Sequence, residues 1–197
     1  MSIYTPREFV DRDERLALSL IRDFPFATLI TAAGAEPHVT PLPMLLADGA
    51  LWSHMARPNP HWQAFAKGAT LALFQGPHAF VSPRWYEKPD DNVPTWNYAV
   101  VHAHGRPEIL DEAGKRKVLD MVLARFDPQA PTSEAKKRKL IGGIVAFRMP
   151  VARMDAKFKM SQNKTAGDRA GVIAALRGSG RADDAAVAAW MQAHEPA

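Results

Sequence analysis

The chain has 197 residues and a formal net charge of +4, with 47% hydrophobic and 23% charged residues. That balance is an ordinary globular one, with room for one sizeable core, and it requires no disordered tail. Cysteine is absent, which excludes a disulfide framework and a thiolate metal site, and the small positive surplus is modest for a protein that lives on DNA.

The N-terminus carries Arg7, Glu8, Asp11 and Arg12 where a secretory signal would have an apolar core. No apolar stretch is long enough to span a bilayer, so a cytoplasmic protein without membrane contact is expected. From Asp11 to Phe24, Leu16, Leu20, Ile21 and Phe24 recur at helical spacing, and Pro25 stops the helix. Phe26 to Thr31 reads as a strand, Ala33 to Glu36 as a turn, and Val39 to Leu46 as a proline-punctuated strand completing a hairpin. Asp48-Gly49 is the next turn and Leu51 to Met55 another strand, followed by a short helix from Asn59 to Lys67 closed by Gly68. Ala69 to Phe74 and His78 to Val81 read as two strands, and Glu87 to Pro94 as a polar loop.

Tyr98 to Leu110 continues as a long strand, with Gly105 and Pro107 marking a bulge or an edge. The period then changes. Leu119, Val122, Leu123 and Phe126 form a helical stripe ending at Asp127-Pro128, and Ala135 to Leu140 holds the dense basic block Lys136, Lys137, Arg138 and Lys139. Ile144 to Met154 is a strand, and Thr165 to Leu176 a helix. Beyond the flexible Gly178-Ser179-Gly180 joint, Asp183 to His194 is an alanine-rich helix. These elements predict a mainly β (α+β) fold, an antiparallel β-barrel or sandwich with about five peripheral helices. The main domain is expected over 1–177, with the joint and terminal helix over 178–197.

Several segments carry chemistry. An extended run at Lys157-Phe158-Lys159 puts two ammonium groups on one face, and Ser161, Gln162 and Asn163 lead into a helix N-terminus, an arrangement suited to phosphate or carboxylate. The alternative is a pair of solvated lysines, with Ser161 or Asn163 acting only as a cap. A second phosphate cradle is offered between Trp52 and Trp62, where Arg57 presents a forked guanidinium and Asn59 opens a helix with free N–H groups. Trp96, Asn97 and Tyr98 place aromatics and an amide in one segment, and Gln75 adds an amide beside Gly76; this combination suits a flat heteroaromatic ring, or else simple turn and core packing. His102 and His104, two apart on a strand, either face a metal or fill a half-polar face, and without a third ligand no metal is expected. Ser82 lacks a base partner and reads as a turn residue. Walker, G-x-G-x-x-G and G-x-S-x-G motifs are absent, which argues against P-loop and α/β-hydrolase chemistry.

Six strings together carry a family resemblance: Thr5 to Phe9, Asp23 to Leu29, His54 to Trp62, Phe74 to Tyr86, Val93 to Pro107 and Lys157 to Lys164. In these the chain resembles the PaiB-type family of FMN-binding negative transcriptional regulators. The resemblance implies a split β-barrel of the pyridoxamine-phosphate-oxidase-like flavin-binding kind. It further implies a homodimer with FMN at the subunit interface, and a link to repression of degradative-enzyme and sporulation genes. DNA contact follows from the resemblance alone, because no helix-turn-helix is recognisable. By the same resemblance His54, Ala56, Arg57 and Asn59, with Trp62 closing the segment, would hold the FMN phosphate and ribityl chain. Trp96, Asn97 and Tyr98 would contact the ring or come from the second subunit, and Lys157, Lys159, Ser161, Gln162 and Asn163 match the family's most recognisable motif. Pro128 to Lys139 departs from the family pattern in being short and basic, and the Gly-Ser-Gly joint with its helix looks like a private extension. A flavin-dependent oxidoreductase, with FMN carrying the hydride or electron chemistry, is the alternative function.

Overall fold

The computed structural model describes residues 3–6, 9 and 14–194. Arg7, Glu8, Asp11 and Arg12, and with them the start of the helix expected from Asp11, lie outside the described residues. Helix α1 (Glu14–Asp23) buries Ala17, Leu20 and Ile21 at helical spacing and ends before Pro25. The strands are β1 (Phe26–Ala32), β2 (His38–Pro43), β3 (Leu45–Ala47), β4 (Ala50–Ala56), β5 (Ala69–Val81), β6 (Thr95–Gly105), β7 (Glu108–Ile109) and β8 (Ile144–Lys159). The remaining helices are α2 (Glu112–Phe126), α3 (Glu134–Gly142), α4 (Ala166–Gly178) and α5 (Ala182–Ala193).

The strands lie in the order β2-β1-β5-β6-β8-β4-β3, with β7 paired to β8. The fold is the antiparallel split β-barrel with peripheral helices that the sequence implies. Two compact units are distinguished, one built from Met1–Leu20, Gln75–Val101 and Asp155–Ala197, the other from Ile21–Phe74 and His102–Met154.

The second unit carries the barrel closure. Strands β2 and β3 stand at opposite ends of the strand order yet are joined through the single residue Met44, and the Ser53 hydroxyl on β4 donates to the Pro43 carbonyl on β2 at 2.5 Å. Alternation along β4 divides its side chains. Leu51 and Met55 point to one face, while Ala50 and Trp52 point to the other and pack with Val118 of α2 and Ala146 of β8. Asp48 and Gly49 both adopt positive φ, 51° and 69°, the type I′ geometry that joins tightly paired strands such as β3 and β4. Asp111 and Ser133 cap α2 and α3 by accepting from the N–H groups of Gly114 and Lys136.

In the first unit α4 and α5 pack together. Thr165 caps α4, and Val172, Leu176, Val187 and Met191 are fully buried. The buried Arg169 guanidinium donates to the carbonyls of Met160 at 2.7 Å and Met191 at 2.9 Å, and Trp190 of α5 stacks on Phe158 with ring centroids 5.3 Å apart.

Some elements differ from their sequence expectation. The strand expected from Val39 to Leu46 breaks at Met44, whose N–H turns to the Pro25 carbonyl at 2.8 Å while its side chain is buried. The two strands expected at 69–74 and 78–81 are one. Pairing of β5 with β1 ends at Leu73, so Pro77 owes no hydrogen bond to that neighbour, and the missing side chain of Gly76 makes room for Leu20. The helix expected over 59–67 is only a 3₁₀ turn, Pro60–Ala64. Pro107 ends the long strand, leaving β7 as a separate pairing on β8. Strand β8 runs on past Met154 to Lys159, so both motif lysines sit in extended backbone.

Candidate functional site

The predicted site residues fall into two groups, one in each unit. His54, Ala56, Arg57, Asn59 and Trp62 belong to the unit that closes the barrel. Arg57 follows directly on β4, and its guanidinium reaches the end of α3, donating from Nε to the Gly142 carbonyl at 3.0 Å and from Nη2 to the Ile144 carbonyl at 3.2 Å. A guanidinium has five N–H donors, so three remain for an external acceptor, held in a fixed plane. The N–H groups around the turn are already committed. That of Arg57 goes to the Gly143 carbonyl, that of Asn59 to the Ala56 carbonyl, and that of His61 to Asn59 Oδ1. The row of free N–H groups expected at Asn59 is therefore not there at Arg57, Asn59 and His61, and charge recognition falls to the guanidinium. The Trp62 indole donates to the Arg57 carbonyl at 3.3 Å and braces the turn from beneath.

Behind the turn lies a buried polar chain that sequence reasoning did not single out. His61 is 2% exposed, with Nδ1 2.8 Å from Thr40 Oγ1 and Nε2 2.9 Å from Thr31 Oγ1, which itself meets Thr70 Oγ1 at 2.9 Å. Asn59 Nδ2 donates to the same Thr40 hydroxyl at 3.3 Å. Burial, and secondarily the nearby His38, push the His61 pKa down to about 4, so the ring is neutral at physiological pH. His54 is also lowered by burial, and its Nδ1 is buried without a hydrogen-bond partner. An orphaned nitrogen of this kind suits a ligand or water contact.

Gln75, Trp96, Asn97, Tyr98, Lys157, Lys159, Ser161, Gln162 and Asn163 belong to the other unit. The two-residue period of β6 separates Asn97 from Trp96 and Tyr98. Asn97 is 1% exposed and exchanges hydrogen bonds with Ser161, donating from Nδ2 at 3.0 Å and accepting on Oδ1 at 3.1 Å. Trp96 is exposed and meets Phe80 edge-on and His78 at a tilt, with His78 Nδ1 3.4 Å from the Gln75 amide. The lysines diverge in role. Lys157 is buried, donates to the Tyr4 carbonyl at 2.9 Å and lies over the rings of Tyr4 and Tyr98, whereas Lys159 donates to Thr95 Oγ1 and to the Trp96 carbonyl. Burial, then Lys157 and Lys164, hold Lys159 below the usual lysine range. The Gln162 side chain braces its own turn, accepting from Met160 N at 2.6 Å and donating to the Phe158 carbonyl. Ser161 turns the chain with φ 60°.

Tyr86, Thr95 and Lys164 join this second group without having been predicted. The family-like strings contain all three, but their partners lie tens of residues away and only the fold brings them together. His102 and His104 lie on β6 with no third metal ligand, since no cluster of three histidines and carboxylates forms among the described residues. Ser82 caps the 3₁₀ turn that follows it, accepting from Arg84 N. No helix of the described residues is long and apolar enough to cross a membrane.

The chain is thus a split barrel in which Arg57, directly after the fourth strand, keeps guanidinium donors that the fold does not use. The model of the family described as "Putative FMN-binding domain" matches residues 3–153, and the chain belongs to that family. It is similar to the protein "Protease synthase and sporulation protein PAI 2" of Bacillus subtilis, 30% identical over 193 residues that cover 89% of each chain. Uncharacterized protein AN0679 of Emericella nidulans is 29% identical over 213 residues, covering 82% of this chain and 85% of that protein. Among solved structures, the FAD and heme binding protein of Mycobacterium smegmatis superposes with a TM-score of 0.64 at 19% identity, covering 87% of this chain and 80% of that one. The flavocytochrome Anf3 of Azotobacter vinelandii gives 0.64 at 17%, covering 79% and 72%. At these identities the structures share the fold.

Proposed function

We propose that the protein is an FMN-binding homodimer of the PaiB type that acts in negative transcriptional regulation. The observation that carries the flavin part is the Arg57 guanidinium, fixed by the Gly142 carbonyl of α3 and the Ile144 carbonyl of β8 with N–H donors left over, on the same strand-turn segment as the buried, unpartnered His54 nitrogen. In this reading Arg57 binds the FMN phosphate, His54, Ala56 and Asn59 line the ribityl chain, and Trp62 holds the turn. Gln75, Trp96 and Tyr98, contributed across the homodimer interface, would offer amide and aromatic groups to a flat ring; Asn97, Ser161 and Gln162 brace that segment from within, and Lys157, Lys159 and Asn163 complete the family-like motif. FMN, when bound, supplies redox chemistry at its ring; the chain's residues bind and orient it.

The regulatory part is supported by the family and by the relationship to a protein named for protease synthesis and sporulation. An exposed basic face on α3, with Lys136, Arg138 and Lys139 projecting from the helix, would suit a polyanion. Sheared genomic DNA retained by the purified protein, with and without FMN, tests it. Enrichment of promoter segments that fades as salt rises supports the reading. Absence of enrichment, with steady NAD(P)H oxidation by the flavin-loaded protein, contradicts it and favours an oxidoreductase.

A further inference from the structure

The unit that contains Ser161 holds a half-open cavity of about 270 Å³, lined by Tyr86, Thr95, Asn97, Lys159, Ser161 and Lys164 among others. Its size falls below the roughly 300–1,000 Å³ of pockets that take drug-sized ligands, so it suits a fragment and not an entire dinucleotide or flavin. Two ammonium groups line it. Lys159 has committed two of its three donors to Thr95 Oγ1 and the Trp96 carbonyl, and Lys164 has committed one to Asn92 Oδ1 at 2.5 Å while lying 4.8 Å from the centre of the Tyr86 ring. Each therefore keeps at least one N–H to offer.

A second observation is independent of the lysines. Tyr86 is 5% exposed and lines the cavity, and its buried hydroxyl makes no hydrogen bond of good geometry; it lies near the Ser161 hydroxyl, whose bonds go to Asn97. A buried phenol left as an open donor is a group waiting for an acceptor. Ser161, a non-glycine residue held at φ 60°, adds the kind of local strain that gathers at binding sites.

We propose that this cavity is a binding site for a small oxyanion, a carboxylate or phosphate group received by Lys159, Lys164 and the Tyr86 hydroxyl, and separate from the Arg57 site. The sign of the local field agrees. Asp91 lines the cavity but is exposed, and Asp168 acts on Tyr86 from α4, while Lys159 loses basicity first through burial and then through Lys157 and Lys164, which lie close enough to add to its positive charge. Inorganic phosphate and acetate share the required chemistry, and the FMN phosphate is a further source of it.

The test is a titration of the full-length ¹⁵N-labelled protein with inorganic phosphate, and in a parallel arm with FMN, followed by the backbone amides of Ser161 and Lys164 and the side-chain amide of Asn97. The proposal predicts saturable shifts at these three positions with phosphate, weakened at least about tenfold in Lys159→Met and about three- to tenfold in Tyr86→Phe, with little change in Arg57→Ala. Tyr86→Phe removes one oxygen and keeps the ring, so it remains informative if Lys159→Met folds poorly. Phosphate that leaves these amides unmoved, or moves them equally in Tyr86→Phe, overturns the proposal. FMN shifting the same three positions and losing affinity in Lys159→Met overturns it too, because the cavity would then be the flavin's own phosphate pocket.

Discussion

Arg57 Nε donates to the Gly142 carbonyl at 3.0 Å, tying the residue after β4 to the last turn of α3 across 85 positions of sequence. With its second bond, to Ile144, the guanidinium joins the last residue of α3 to the first of β8. Arg57→Ala should therefore lower stability by about 1–2 kcal/mol, seen as a drop of roughly 2–8 °C in Tm for a chain of this size. Arg57→Lys should recover little of it, because a single ammonium cannot span both carbonyls. Unchanged melting of both variants would show that these bonds do not hold α3.

The neutral His61 makes stability depend on pH with a definite sign. Its folded-state pKa of about 4 lies below that of the unfolded chain, so between those values the unfolded state binds the extra proton. The contribution is complete above about pH 6.5 and is lost as pH falls toward 4, on the order of 2–3 kcal/mol. Urea midpoints at pH 7 and pH 4.5 should separate more in the wild type than in His61→Gln, which keeps one donor and one acceptor. Equal separations would mean that His61 is protonated in the fold.

Ser161 combines an unfavourable backbone angle with a necessary hydroxyl. Ser161→Ala keeps the angle and leaves the buried Asn97 amide short of a partner, at a cost of about 1–3 kcal/mol. Ser161→Gly also loses the hydroxyl but relaxes the backbone, so its loss should be smaller. Denaturant midpoints in the reverse order would contradict this account of the turn.

Two helix glycines should respond oppositely to alanine. A Cβ on Gly171 of α4 would lie 2.2 Å from the Trp85 carbonyl oxygen, so Gly171→Ala must push the helix off the turn beneath it and destabilise the protein. Nothing lies within 4 Å of a Cβ on Gly142, and Gly142→Ala should stabilise by about 0.4–1 kcal/mol through the unfolded chain. Thermal melts that rank the two alike would contradict the packing described for α4.

Much of the fold was legible because its signals are local. Pro25, Asp48-Gly49 and Thr165 mark ends and turns through their own backbone chemistry, and the helical stripe of α2 needs only its own residues. What sequence could not supply was pairing. Gly76-Pro77 looks like a break until the register shows that β1 has already left β5, and Arg57 looks like an open fork until the junction of α3 and β8 places two carbonyls against it. Asn97 was grouped with Trp96 and Tyr98 by adjacency, yet strand alternation turns it inward to Ser161, 64 residues on. The His61 chain and the open Tyr86 hydroxyl join residues from separate strands and turns, so no spacing rule could have announced them.

The claim that FMN is held through Arg57 is tested most directly by titrating the purified chain with FMN and following quenching of flavin fluorescence, for the wild type and for Arg57→Ala. Saturation at one FMN per chain is expected, weakened about tenfold to a hundredfold in the variant by loss of a charge-assisted phosphate contact. A wild type that leaves FMN fluorescence untouched, or a variant that binds as tightly as the wild type, would contradict it.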